Sequence, residues 1–244
     1  MRYRTVTVFT VILVCAALAA GFFLWRLRLS EMRTAVGWEE DFNSVSRSGR
    51  PVIPKGWRRQ KKLGTKSAVF SAEKDKKNGL SFLHMEADKA SATLLCKPGN
   101  VDLKKTPVLK WRWRATVLPE DADGRIKDKD DQAIGIYVGT GSVLNQKAIS
   151  YRWDTETPKG AEGSCDYGDG TVKVKWFTLR NKQDAGSGRW FVEKRDCAED
   201  FKTAWGFYPK KIYLVISCNS QYTGTKAAAD LDWIEFMSTS GNNG

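Results

Sequence analysis

Histidine is almost absent from this chain, with one residue, His84, in 244. His84 lies inside the strand-like run Ser81–Glu86, where an ordinary strand position is the simpler interpretation. With no second histidine, the sequence argues against a histidine-based catalytic triad and a histidine-based zinc site. Cys-x-x-Cys spacing is absent as well, which argues against metal ligation by cysteine. An enzyme with this composition would have to use carboxylates, as glycosidases do, with two groups about 5–10 Å apart.

Other absences narrow the class of protein further. No recognition-helix or RNP-like pattern is present, so we do not expect nucleic acid as a partner. Hydrophobic residues at 41%, with ten tryptophans, exclude wholesale disorder. Once residues 1–30 are set aside, the remaining 214 residues suit one domain, residues 31–237, followed by a flexible tail, residues 238–244.

The first thirty residues predict a membrane segment. Residues 5–24 carry no charge and would span roughly 30 Å as a helix, the thickness of a bilayer core. Ala17-Leu18-Ala19 offers a signal-cleavage site, but the apolar run continues past it to Trp25, which favours a retained anchor over a removed signal. Two arginines flank each end, so charge alone does not set the orientation.

Alternating apolar and polar residues dominate the domain. In Val108–Val117 every second residue is apolar, the pattern of a half-buried strand. One short segment, Ala198–Trp205, has a helical pattern. Many short strands without βαβ alternation predict an all-β fold, an antiparallel β-sandwich or jelly roll. The further strand-like runs are Ser81–Glu86, Ala92–Cys96, Ala133–Gly139, Ala148–Trp153, Thr171–Leu179, Trp190–Glu193, Ile212–Cys218 and Asp230–Met237.

The charge excess is unevenly distributed. The net charge of +12 falls to about +8 without the four arginines of the N-terminal segment, and nine Lys or Arg lie between residues 55 and 77. This stretch is typical of a solvated edge that provides solubility and protects against edge pairing. The alternative is attraction to anionic lipid headgroups or an acidic polysaccharide.

Four cysteines of the domain permit two disulfide bridges. Cys165 and Cys197 lie in polar, loop-like surroundings, where a bridge would contribute ~2–4 kcal/mol. Cys96 and Cys218 follow strand patterns and either pair or are buried free thiols. In an oxidising compartment we expect at least one bridge.

Several segments together resemble an uncharacterised bacterial family of exported proteins, domain of unknown function 3047. They are Trp111–Trp113, Asp130–Val138, Glu193–Lys202 with Trp205-Gly206, and Ile216–Phe236, within a match over residues 38 to 236. The resemblance implies export and a β-sandwich. With the cysteine count, it places the domain in the bacterial cell envelope, either anchored to the inner membrane and periplasmic or exported. Residues 218–221 are neutral where the family tends to have an acidic turn, which leaves a metal or catalytic role there unsupported.

A looser likeness concerns the ends of the domain. The opening segment Trp38–Phe42 and the closing segment Asp230–Phe236 are similar to the terminal strands of jelly-roll carbohydrate-binding modules, where acidic residues often hold a structural calcium. This likeness implies a calcium site, because carboxylates and carbonyls could supply part of the six to eight oxygens required. In the alternative, these acidic side chains face water and no cofactor is present. The four candidates are Glu40, Asp41, Asp230 and Asp232.

Three functional hypotheses follow. The first is a binding module for a glycan or another envelope polymer, because sugars stack on aromatic rings while charged and amide groups bind their hydroxyls. The second is a saccharide hydrolase or lyase with Asp130 or Asp131 paired with Glu193. The third is an anchored scaffolding domain, with a contiguous patch and no pocket. Each aromatic candidate, taken singly, is more often a core residue than a ligand platform. The candidate ligand-binding residues are Asp130, Asp131, Tyr137, Tyr151, Trp153, Asp154, Trp176, Trp190 and Glu193.

Overall fold

The computed structural model describes residues 36–43, 53–62, 64–75, 79–99 and 101–239. The predicted membrane segment and most of the predicted tail lie outside these ranges. Within them, no helix has the length and apolar character needed to cross a membrane. The strands are β1 (Val36–Glu40), β2 (Trp57–Lys61), β3 (Val69–Lys74), β4 (Ser81–Asp88), β5 (Ser91–Cys96), β6 (Val108–Val117), β7 (Gln132–Ser142), β8 (Asn145–Trp153), β9 (Glu162–Tyr167), β10 (Val172–Arg180), β11 (Phe191–Asp196), β12 (Tyr213–Asn219) and β13 (Lys226–Met237), with one α-helix, α1 (Cys197–Trp205).

These strands form two sheets, as expected for a β-sandwich. The six-stranded sheet has the order β11-β6-β13-β4-β3, with β1 also paired to β13. The seven-stranded sheet has the order β2-β5-β12-β7-β8-β10-β9. The expectation of purely antiparallel pairing is wrong at one place, because β8 and β10 are parallel. After β8 the chain crosses to the sheet edge, forms β9, and returns as β10 between β9 and β8.

Alternation along the strands fills the space between the sheets. The charged side chains at positions 110, 112 and 114 of β6 stay on the outer surface, while Leu109, Trp111 and Trp113 are buried. The Trp111 ring stacks on Tyr151 with centroids 5.1 Å apart, and Trp113 meets Trp153 edge-on at 5.6 Å. Aromatic pairs at such distances add to the large apolar area that these side chains bury.

The sandwich has two ends, which we call the entry end and the loop end. At the entry end, Val36 pairs with Met237, and Met237 pairs with Val108. In the other sheet, β5 ends at the entry end and pairs with β12 in antiparallel register, so β12 begins there. The start of β12 lies beside the end of β7, and the β7–β8 turn is therefore at the entry end too. The loop end carries residues 118–131, between β6 and β7, and residues 220–225, between β12 and β13.

The expected disulfides are not formed, and all four domain cysteines are free thiols. Cys96 and Cys218 lie on paired strands, but Cys96 is opposite Leu214, four residues from Cys218. Four residues correspond to about 13 Å along a strand, beyond the roughly 7 Å that a bridge allows between Cα atoms. Cys197 is buried in the core, whereas Cys165 lies on the outer face of the seven-stranded sheet.

Candidate functional site

A groove of about 790 Å³ crosses the outer face of the seven-stranded sheet, and we call it the sheet groove. Its floor consists of outward-facing side chains from the central strands, and its rim comes from β2, the β9–β10 turn and the loop end. A concave surface lined by aromatic, amide and hydroxyl groups is the usual form of a small-molecule or oligomer site. The floor residues include Thr93, Tyr137, Gln146, Ala148, Val172, Val174, Tyr213, Val215, Ser217 and Asn219.

Two tyrosine rings lie flat in the groove because glycines lie beneath them. A Cβ on Gly139 would come within 2.3 Å of the Tyr213 ring, and one on Gly135 within 2.8 Å of the Tyr137 ring. Gly139 is directly opposite Tyr213 in the β7–β12 ladder. The small residues of β7 therefore create the depression, and each ring keeps part of its surface open to solvent.

The phenol groups of these tyrosines are neutral hydrogen-bonding groups. Tyr213 donates to Gln146 Oε1 at 2.8 Å, and Tyr137 donates to Gln132 Oε1 at 3.4 Å. Burial raises the pKa of both tyrosines to about 12. Each phenol oxygen therefore keeps its proton at neutral pH and retains acceptor capacity for a ligand hydroxyl.

Arg152 links the groove floor to the loop end. Its guanidinium is 1% exposed and forms ion pairs with Asp130 and, at 3.3 Å, with Asp154. It also lies over the Trp176 ring, 5.2 Å from the centroid. Tyr167 donates to the other oxygen of Asp130 at 2.6 Å. Two carboxylates compensate one buried cation, so this cluster holds the loop of residues 118–131 against the sheet.

Asp131 has a similar structural role toward the second loop. It is fully buried and accepts hydrogen bonds from the backbone N–H and hydroxyl of Thr223, at 2.7 and 3.0 Å, and from Asn219 at 3.2 Å. Desolvation by burial raises its pKa. The adjacent carboxylates Asp130 and Asp131 thus fix two different segments, and neither is free to bind a ligand.

The rim of the groove is charged. β2 is an edge strand, as the basic stretch predicts, and it places Lys61 and Lys62 beside the groove. Lys62 donates to the Tyr222 hydroxyl at 3.3 Å and lies 4.8 Å from the centroid of that ring. Asp166 and Asp169 stand on the opposite rim. A chain in the groove would therefore meet lysines along one side and carboxylates along the other.

Most of the aromatic residues proposed for binding do not face this groove. Tyr151 and Trp153 are fully buried between the sheets, and Trp176 is 3% exposed beneath Arg152. Tyr151 and Trp153 occupy inward-facing positions of β8, and Arg152 covers the Trp176 ring. All three side chains are therefore removed from solvent. Trp190 lies over Arg114 on the outer face of the other sheet, at 4.4 Å. Among the predicted aromatic candidates, Tyr137 is the one that lines the groove.

The proposed catalytic carboxylates are not brought together. Asp130 lies at the loop end of the seven-stranded sheet, bound to Arg152 and Tyr167. Glu193 lies on β11 of the six-stranded sheet, where it accepts from Trp113 Nε1 at 3.2 Å and Arg180 Nε at 2.7 Å. Because their partners and sheets differ, the structure does not form the carboxylate pair required for that hydrolase or lyase.

The four carboxylates suggested for calcium also have other partners. Asp230 accepts from Arg114 and contacts His84, both at 2.6 Å. Asp232 accepts from Arg112 at 2.7 Å, while Glu40 accepts from the Trp57 indole at 2.9 Å and Asp41 from its neighbour Asn43. Within the described ranges, no group of three or more His, Cys, Asp or Glu side chains could hold a metal ion. The structure therefore does not assemble the predicted site.

Several groove residues were missed by sequence reasoning. Tyr213 and Gln146 stand at the ends of strand patterns and looked like ordinary boundary residues. A usable signal was present in β7, where alternate positions from Ala133 to Gly141 are small except for Tyr137. A strand face with small residues around one aromatic predicts a depression with a ring in it.

Comparisons with known proteins identify the family and a set of structural neighbours. The profile of the protein family of unknown function DUF3047 matches residues 55–235. A search of curated proteins finds no match.

Three solved structures illustrate the neighbours. A family 11 carbohydrate-binding module of the cellulosomal cellulase Lic26A-Cel5E of Clostridium thermocellum is 11% identical, covers 86% of this chain and 100% of its own, and has a TM-score of 0.41. The mannan-recognising module TmCBM27 is 13% identical over 85% and 99%, with a TM-score of 0.34. The xyloglucanase domain of NopAA from Sinorhizobium fredii is 6% identical over 83% and 97%, with 0.37. At these scores no site or ligand transfers to this chain.

Proposed function

Since the chain belongs to the protein family of unknown function DUF3047, we propose its function from geometry: the sheet groove binds a glycan or a similar envelope polymer. The observation that carries this proposal is the pair of tyrosine rings, Tyr137 and Tyr213, lying flat over glycines in an open groove. The groove follows β12 from Tyr213 to Asn219, and such a length suits a chain better than a compact metabolite.

The chemistry of the floor matches that of sugars. A pyranose ring presents a face of C–H bonds that packs on an aromatic ring, and a rim of hydroxyls that both donate and accept hydrogen bonds. Tyr213 and Gln146 already form such a bond at 2.8 Å, so both are held in place before a ligand arrives. Asn219 and Gln221 add amide groups to the lining. Side chains fixed in advance lose little conformational entropy on binding.

The setting of this activity is proposed from the sequence. The uncharged residues 5–24 would hold the domain at the inner membrane with its groove in the periplasm, or would direct its export if cleaved. In either case the polymers within reach are those of the bacterial envelope.

Calorimetry on the full-length chain, kept in mild detergent, tests the proposal with envelope polysaccharides and peptidoglycan fragments as probes. We expect a saturable response with at least one of them. Tyr213→Ala should weaken that binding about tenfold, equivalent to ~1.4 kcal/mol, because it removes one stacking face. Tyr213→Phe, which keeps the ring, should lose less.

The matched control is Tyr208→Ala. Tyr208 is a partly exposed tyrosine whose hydroxyl donates to Glu199 at 3.0 Å, away from the groove lining. The Tyr208→Ala variant should bind each probe with the same affinity as the unsubstituted chain. Flat responses to every probe, or equal losses for the Tyr213 and Tyr208 variants, would reject the groove as a glycan site and leave the scaffolding hypothesis in its place.

A further inference from the structure

The entry end of the sandwich carries an exposed apolar tip. The turn between β7 and β8 joins Ser142 to Asn145 with Val143 and Leu144 at its apex. These two side chains are 82% and 79% exposed. Tight hairpin turns favour Gly, Asn and Asp, so two large aliphatic residues at an apex gain nothing from the turn itself. Adjacent exposed aliphatic residues therefore point to a contact outside the domain.

A third apolar residue stands beside this tip. Phe207, just after α1, is 38% exposed. The ammonium of Lys147 lies 5.3 Å from the centroid of the Phe207 ring, and Lys147 is two residues beyond the turn. Phe207 and the hairpin tip therefore belong to the same surface, which we call the apolar tip (Val143, Leu144 and Phe207).

Lysines surround the apolar tip. Lys173 is opposite Lys147 in the parallel β8–β10 ladder. Thr140, at the end of β7, donates its hydroxyl to the carbonyl of Lys211 at 2.7 Å, which brings Lys210 and Lys211 next to the hairpin. Two acidic residues lie at this end as well: Asp169 in the β9–β10 turn, and Asp166, which is opposite Lys173 in the β9–β10 ladder. The surface combines aliphatic and aromatic side chains with an excess of positive charge.

The path of the chain indicates what meets this surface. Val36, the first residue of β1, lies at the entry end because it pairs with Met237. Eleven residues separate it from the predicted membrane segment, residues 5–24. A chain of that length reaches at most about 40 Å. A bilayer holding residues 5–24 would therefore lie within reach of the entry end.

We propose that the apolar tip and its lysines dock the domain on an anionic lipid bilayer. Val143 and Leu144 would enter the headgroup region, where apolar side chains leave water, while the four lysines meet the phosphate groups of anionic lipids. This contact is separate from the proposed glycan binding, which uses the outer face of the seven-stranded sheet.

The test uses the full chain in lipid nanodiscs made of phosphatidylcholine, with or without phosphatidylglycerol. A fluorophore on Leu144→Cys reports contact through quenching by nitroxide-labelled lipid. Glu120→Cys, an exposed position at the loop end, is the matched control, and the unsubstituted chain gives the background from native cysteines. We expect strong quenching at residue 144 in anionic discs, less in neutral discs, and none above background at residue 120.

A second variant examines the charge contribution. The double substitution K210E/K211E, added to Leu144→Cys, should reduce the quenching in anionic discs to its value in neutral discs, with near-UV circular dichroism confirming the fold. Equal quenching at residues 144 and 120, or quenching at residue 144 that ignores headgroup charge, would overturn the proposal. Neither result would affect the calorimetric test of the groove.

Discussion

Protonation of His84 should stabilise the fold over a defined pH range. His84 Nδ1 lies 2.6 Å from Asp230, and Nε2 lies 3.2 Å from Glu86. The hydrogen bond to Asp230 is the main cause that raises the pKa of His84 from 6.5 to about 9, while desolvation opposes it and Glu86 adds to it. The native state therefore keeps a proton that the unfolded chain releases above pH 6.5.

The size of the effect follows from this shift. A shift from 6.5 to about 9 corresponds to at most about 3 kcal/mol, at 1.36 kcal/mol per pKa unit. The ring is 23% exposed and Glu86 is largely exposed, so solvent screening reduces our expectation to about 1–2 kcal/mol. Because the folded-state pKa is raised, the contribution is complete below pH 6.5 and is lost as the pH rises through about 9.

Urea unfolding of the full-length chain and of His84→Gln at pH 6 and pH 10 measures this contribution. The difference in unfolding free energy between the two proteins should shrink by about 1–2 kcal/mol between these pH values, and other titrating groups cancel in the difference. Glu86→Gln is the control and should change stability by less than about 1 kcal/mol. Because the chain has one histidine, NMR without a histidine tag also gives its pKa directly. A midpoint near 6.5, or a pH-independent difference, would refute the reasoning.

Three further predictions concern the groove and the thiols. Gly139→Val should displace the Tyr213 ring and weaken the binding of a groove ligand about as much as Tyr213→Ala does. The Tm should change little, because the outer edge of the ring can move aside. Arg152→Met should lower the free energy of unfolding by ~3–5 kcal/mol in urea titration, because Asp130 and Asp154 stay buried without their cation; adding Asp154→Asn should recover part of it. Ellman's reagent should titrate every cysteine after unfolding without reductant, whereas buried Cys197, whose pKa is raised by desolvation, stays unreactive in the native protein.

The strand content could be read from the sequence because the physical signal is local. From Leu109 to Thr116 the strand β6 alternates between core and outer surface, and that pattern alone predicts a half-buried strand. The parallel pairing of β8 and β10 has no local signal, since it depends on where β9 settles in the sheet. The disulfide prediction fails for the same reason. A bridge depends on the register between β5 and β12, which places Cys96 opposite Leu214 instead of Cys218.

The aromatic candidates show why the site was harder to predict than the fold. Tyr151, Arg152 and Trp153 alternate as a strand should, so either the two rings or the arginine had to face outward. The alternation alone does not say which of the two faces outward. The rings pack on Trp111 and Trp113, while the loop of residues 118–131 covers the arginine. Only the three-dimensional path of that loop decides which outward positions remain open.

The two proposed surfaces adjoin at the start of β12, and the direction of this strand relates one to the other. Lys211 belongs to the entry end, and Tyr213, two residues later, begins the groove floor, which continues along β12 to Asn219 at the loop end. If the entry end rests on a bilayer, the groove starts near the lipid surface and leads away from it. A polymer in the groove would then extend from the membrane, as a chain still attached to a lipid carrier or to the envelope does, instead of lying parallel to the bilayer.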